Sequence, residues 1–272
     1  MKNSALKAAL ARHRAISIAA LIVLTILAWG WLLSGAAMNM EPLVSLAPIT
    51  GDHVGATGMD MANQSGWSAG KFTLIFSMWW VMMLAMMLPS AAPMILLYTR
   101  VVTGEHGKVR PATGSFLAGY LLAWGAFSLA ATVLQSLLER SEFLSPMTMA
   151  AQSHLLSAAI LISAGIYQLS PFKDVCLRHC RSPAQFLSLN YRPGTLGAIR
   201  LGFAHGGYCV GCCWLLMTLL FVGGVMNLAW IALLTLMVAA EKLLPMGRNV
   251  SFVTGLACIA WGSLILYSVA VS

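Results

Sequence analysis

His205, Cys209, Cys212, Cys213 and Met217 fall within one run, Leu201 to Met217, that is otherwise largely glycine, aromatic and aliphatic. Residues four apart on a helix lie one above another, so His205, Cys209, Cys213 and Met217 form a slowly drifting stripe with Cys212 beside it. Imidazole, thiol and thioether all bind metals, and thiol with thioether favours soft ions, above all monovalent copper. Gly202, Gly206, Gly207 and Gly211 punctuate the same segment and remove side chains where another helix or an ion must come close. The plain alternative is a buried packing face on which cysteine is a small apolar filler. A lone cysteine would favour that alternative; this cluster favours metal or thiol chemistry.

Soft donors recur elsewhere. Met78, Met82 and Met86 align at four-residue steps, as do Met83 and Met87, within the apolar run Phe72 to Tyr98. The six methionines between Met78 and Met94 either fill irregular gaps or line a thioether ladder for copper. Pro89 and Pro93 each remove a backbone donor, so this run is expected to kink or break where protein or a cavity covers the freed carbonyls. Cys176 and Cys180, with His179 between them, suit a thiol pair that accepts or hands over copper; the second paired half of a zinc ribbon is missing. Two reduced surface cysteines are the alternative there. In the polar stretch Gly35 to Lys71, Met38, Met40, His53, Met59 and Met61 offer exposed soft ligands, or belong to an ordinary flexible loop. Cys258 sits about as deep in the last apolar run as Cys209 does in its own.

Glu241 is an acid near the end of an apolar run, and such residues usually have a partner or a task. It can help to coordinate or release metal, or accept a proton when thiols bind copper; the structural alternative is an ion pair with Lys242 or Arg248. Lys242 itself is expected to snorkel to the membrane interface. Zinc becomes a second candidate metal if His205 and Glu241 join the thiols.

The elements that must position these donors are membrane helices. With 59% hydrophobic and 9% charged residues in 272, the chain is far below the roughly 25% charge of soluble domains. Its net charge of +8 resides in short connections between apolar runs, so it reads as a topology signal and not as a nucleic-acid surface. The expected fold is all-α and polytopic, with about seven transmembrane helices: Ile16 to Leu33, Phe72 to Tyr98, Gly114 to Leu138, Leu155 to Leu169, Ile199 to Val222, Val225 to Leu244 and Val250 to Val271. A cytoplasmic amino terminus and an external carboxyl terminus leave only Lys71 and Arg140 of the sixteen basic residues outside, as the positive-inside rule demands. Residues 1–34 form a tail and anchor, whose apolar core exceeds the roughly 7 to 15 residues of a cleaved signal peptide. Residues 35–71 form an external polar loop, and residues 72–272 a six-helix metal-binding domain. None of the six cysteines falls in an external segment, which argues against a disulfide framework.

Four motifs then occur in order: Met78 to Pro89 (Met-Trp-Trp-Val-Met-Met-Leu-Ala-Met-Met-Leu-Pro), Tyr167 to Lys173 with Cys176 to Pro183, Gly207 to Met217, and Glu241 to Pro245. Together they resemble the bacterial family of predicted metal-binding integral membrane proteins, domain of unknown function number 2182. The resemblance covers Phe72 to the carboxyl terminus and implies an inner-membrane protein that binds metal; the loop before it gains no support.

Three functions follow as expectations. The first is copper transport or delivery across the inner membrane, without enzymatic activity, in exchange with a periplasmic or membrane partner. The second is a membrane thiol–disulfide oxidoreductase using the Cys209-Val210-Gly211-Cys212 pair. The third is an assembly subunit that holds metal only structurally, or none.

Overall fold

The computed structural model describes residues 2–34, 67–106, 110–145 and 149–271. The methionines and His53 of the polar loop lie outside these residues. Among the described residues the chain is helical, apart from one antiparallel bridge between Leu144 and Ala151. The helices are α1 Lys2–Leu33, α2 Ala69–His106, α3 Arg110–Arg140, α4 His154–Leu169, α5 Pro171–Arg181, α6 Pro183–Asn190, α7 Gly194–Thr218, α8 Leu220–Gly223, α9 Leu228–Leu243 and α10 Gly247–Val271.

Five of them are long and apolar enough to cross a membrane: Ala15–Leu33, Ala69–Val102, Thr113–Arg140, Gly194–Gly223 and Gly247–Val271. Each answers to an expected span. The expected fourth span is instead the first limb of a bent pair, α4 and α5, which meet at 64° and bring the count to six if taken as one span. Ser170 makes this corner: its hydroxyl accepts from the Lys173 N–H at 3.3 Å while Pro171 opens the next helix, so one Ser-Pro step ends α4 and starts α5. The expected sixth span falls short. Asn227 caps α9 by accepting from the Ala229 and Trp230 N–H groups, and the helix has only 16 residues, about 24 Å against a hydrocarbon core of about 30 Å.

The most extensive pairings are α3 with α7 and α4 with α10, and glycines make both possible. A side chain at Gly119 or Gly202 would run into the backbone of Ile199 or Phe116, and one at Gly165 would meet Ile259 and Gly255, the close backbone approach on which helices in lipid rely. Gly207 faces open space, so it is not part of this seam. Between α8 and α9, Gly224 holds φ +88°, a left-handed conformation that L side chains resist.

α2 runs as one helix through Pro89 and Pro93. Pro89 cannot donate to the Ala85 carbonyl, and the Trp29 indole N–H does so from α1 at 3.2 Å. The orphaned acceptor is covered by a neighbouring helix, as expected of a freed carbonyl in lipid, and the helix runs on without a break. At the start of α2, the Trp79 indole donates to Gln135 at 2.7 Å, Gln135 donates to Glu139 at 2.8 Å, and Glu139 pairs with Lys71 at 3.3 Å. This chain of polar contacts ties α2 to the end of α3.

Candidate metal site

α7 carries the stripe, and its neighbours decide what each donor meets. Cys209, Cys212 and Cys213 are all buried. The thiols of Cys212 and Cys213 each reach back to the Cys209 carbonyl at 3.1 Å, the direction in which helical side chains lean. From α5, Cys180 brings its sulfur to 4.0 Å from that of Cys212. From α2, the Met87 thioether lies 4.0 Å from the Cys213 sulfur. Two sulfurs at that spacing can share one ion with metal–thiolate bonds of about 2.3 Å. The cluster therefore holds two such pairs, joined by adjacent residues of one helix.

Around the Cys209 sulfur the surroundings are polar. The Lys242 ammonium, in the last turn of α9, donates to it at 2.9 Å, and the Tyr120 hydroxyl of α3 lies 3.2 Å away. Lys242 also stands 3.8 Å from the Met87 sulfur and 3.4 Å from the Ser90 hydroxyl. A cavity of about 190 Å³ adjoins these groups, lined among others by Ser90, Met94, Cys180, His205, Cys209 and Lys242. His205 is 3% exposed and its Nδ1 has no hydrogen-bond partner; its ring lies among Phe116, Tyr120 and Phe186 at 5.6 to 6.2 Å. An unsatisfied nitrogen in so apolar a place is costly unless something takes its lone pair or proton.

Other expected donors are placed differently. Met78, Met82, Met83 and Met86 are buried in the apolar core; among the described residues Met87 is the methionine of α2 whose sulfur meets a thiol. Met217 lies one turn past Cys213, also in the core. Cys176 packs beside Gly211, where an added side chain would come within 2.9 Å of its sulfur, so that glycine admits α5 to α7. His179 stacks on Tyr208 at 4.3 Å and its Nδ1–H donates to the Val175 carbonyl at 2.7 Å. Cys258 is buried with Lys173 and Glu241 as its charged neighbours.

Two expectations are corrected. Glu241 pairs with Lys173 at 2.6 Å and accepts from the Gln168 amide at 2.7 Å, so its partner is neither Lys242 nor Arg248; Arg248 pairs with Asp174. Glu241 thus faces α4 and α5, and among the described residues no zinc set that combines it with His205 and the thiols is assembled. Lys242 does not snorkel. It is 7% exposed and turns inward to the sulfurs, because α9 ends beside the middle of α7. Sequence reasoning missed both Lys242 and Tyr120. Among the described residues no three His, Cys, Asp or Glu side chains form a ready-made cage; the donors come as sulfur pairs, which suit ions content with few soft ligands.

Fold and site together define an all-helical protein, apolar enough to enter a membrane, with a buried sulfur-donor cluster. The profile of a family described as copper chaperone, PpoB2, matches residues 76–265, and the chain belongs to that family. No curated protein and no solved structure matches the chain.

Proposed function

We propose that this chain binds monovalent copper at the sulfur cluster between α2, α5 and α7 and acts in copper transport or delivery across a bacterial inner membrane. The observation that supports this best is the convergence of Cys180, Cys209, Cys212, Cys213 and Met87 from three helices, with Cys180 and Cys209 lining one cavity. Family membership points the same way. Cys180 and Cys212 receive the ion beside the cavity, and Cys213 with Met87 take it deeper between the helices. Paired sites of modest affinity let an ion arrive and leave, where a closed four-thiolate cage would trap it. A periplasmic or membrane partner exchanges the ion at the end of the path. The orientation we favour keeps the amino terminus cytoplasmic and the carboxyl terminus external, with α4 and α9 completing seven crossings; the distribution of Lys and Arg supports it.

Copper content of the purified protein tests this reading. Wild type retains about one equivalent or more of copper, and Cys209→Ser or Cys212→Ser lowers it sharply, because a hydroxyl is a poor ligand for a soft ion. Full copper retention in Cys209→Ser, Cys212→Ser and Cys213→Ser alike overturns it.

A thiol–disulfide reading stands second, favoured by the 4.0 Å approach of Cys180 to Cys212 and by the Cys209–Cys212 spacing. It predicts a metal-independent disulfide that cycles between oxidised and reduced forms, detected by the mass of the alkylated protein.

A further inference from the structure

Lys242 is a buried cation, and among the described residues no salt bridge reaches it. The buried acid beside it in the chain, Glu241, is committed to Lys173. Arg181, also on the cavity wall, donates to the Leu244 and Pro245 carbonyls at 2.7 and 2.8 Å. The Lys242 ammonium has three protons to donate and no acceptor of its own, and three acceptors surround it: the sulfurs of Cys209 and Met87 and the hydroxyl of Ser90. A fixed positive charge therefore shares its sulfur neighbours with the ion that the proposed function places there.

We propose that Lys242 makes the sulfur site selective for ion charge, admitting soft monovalent ions and rejecting soft divalent ones; this inference rests on the copper reading. The reasoning is a count of charge in a low-dielectric setting. With Cys209 and Cys213 both bound as thiolates beside Met87 and Lys242, two negative charges offset Lys242 and a monovalent ion, and the site is neutral. A divalent ion leaves it with one net positive charge, and uncompensated charge away from water is strongly disfavoured. Softness alone cannot make this distinction, because thiolate and thioether bind soft ions of either charge. Lys242 also stands where the ion must settle, within reach of both Cys209 and Met87, so its repulsion acts at short range and is little screened.

Silver(I) and cadmium(II) separate charge from softness, since both are sulfur-seeking. We would measure their affinities for the full-length protein in detergent by competition with chelators, for wild type, Lys242→Leu and Lys242→Arg, with copper content measured in parallel. Wild type should bind silver(I) in preference to cadmium(II). In Lys242→Leu the silver-to-cadmium affinity ratio should fall by about tenfold or more, as removal of one nearby charge predicts, while Lys242→Arg should stay close to wild type. Equal binding of the two ions by wild type overturns the inference without any variant. An unchanged ratio in Lys242→Leu, or an Arg variant that behaves like Leu, overturns it too, because shape and not charge would then matter. Wild type that holds copper but shows no charge preference fails this inference alone; wild type that holds no copper fails the functional reading beneath it.

Discussion

Glu241 and Lys242 are neighbours in sequence with separate environments. Glu241 turns to Lys173 and Gln168, Lys242 to Cys209. The residue types in the Leu201 to Met217 run were informative by themselves, because so many soft donors at helical spacing have few bland explanations. What spacing could not tell was which distant side chains complete the cluster. Cys180, expected in a separate cytosolic pair, meets Cys212; Met87, one of several methionines at helical spacing, meets Cys213. For Glu241, the geometry predicts a structural penalty: Glu241→Gln leaves Lys173 buried and uncompensated. Breaking a buried pair typically costs about 3 to 5 kcal/mol, while replacing both partners with apolar residues costs far less. Thermal unfolding in detergent should therefore show a large loss for Glu241→Gln that Glu241→Leu with Lys173→Met largely recovers. A Glu241→Gln protein as stable as wild type would contradict this.

At the scale of elements, the long apolar runs were legible because a membrane span has a minimum length, and α2, α3, α7 and α10 exceed it. α9 is the exception, because it is shorter than the run expected for it. Asn227 and Pro245 bracket a helix of 16 residues, shorter than the expected Val225 to Leu244 run, and its last turn keeps Lys242 among the helices. At Pro89 the helix runs on because Trp29 donates to the freed carbonyl; the need for such a cover was legible in the sequence, but the residue that supplies it is a tertiary contact that local rules cannot name. The glycines divide by neighbour and not by sequence. Gly202→Ala should force α3 and α7 apart, lowering thermal stability and loosening the seam that holds Tyr120 beside Cys209, with an overpacking cost of about 1 to 3 kcal/mol. Gly207→Ala meets open space and should be neutral or slightly stabilising, since alanine is the better helix former. The two melting curves decide; equal effects would mean the seam is not as tight as described.

For the molecule as a whole, hydrophobic content and the placement of basic residues gave the class of fold, while the bend between α4 and α5 and the inward end of α9 depend on packing that only the assembled helices define. Those two departures matter most, since together they deliver Cys180 and Lys242 to α7. Orientation is testable with reporters. A fusion after Ser272 should report an external location, and one within residues 171–193 an internal one, following the basic-residue count. Both ends on one side would mean that α4 or α9 does not cross.

X-ray absorption at the copper edge of the loaded, purified protein tests the central claim most directly. The account predicts monovalent copper with sulfur neighbours at about 2.3 Å, and loss of that sulfur signal in the Cys212→Ser, Cys213→Ser double variant. A divalent spectrum with an oxygen and nitrogen shell, unchanged when those thiols are removed, would contradict it.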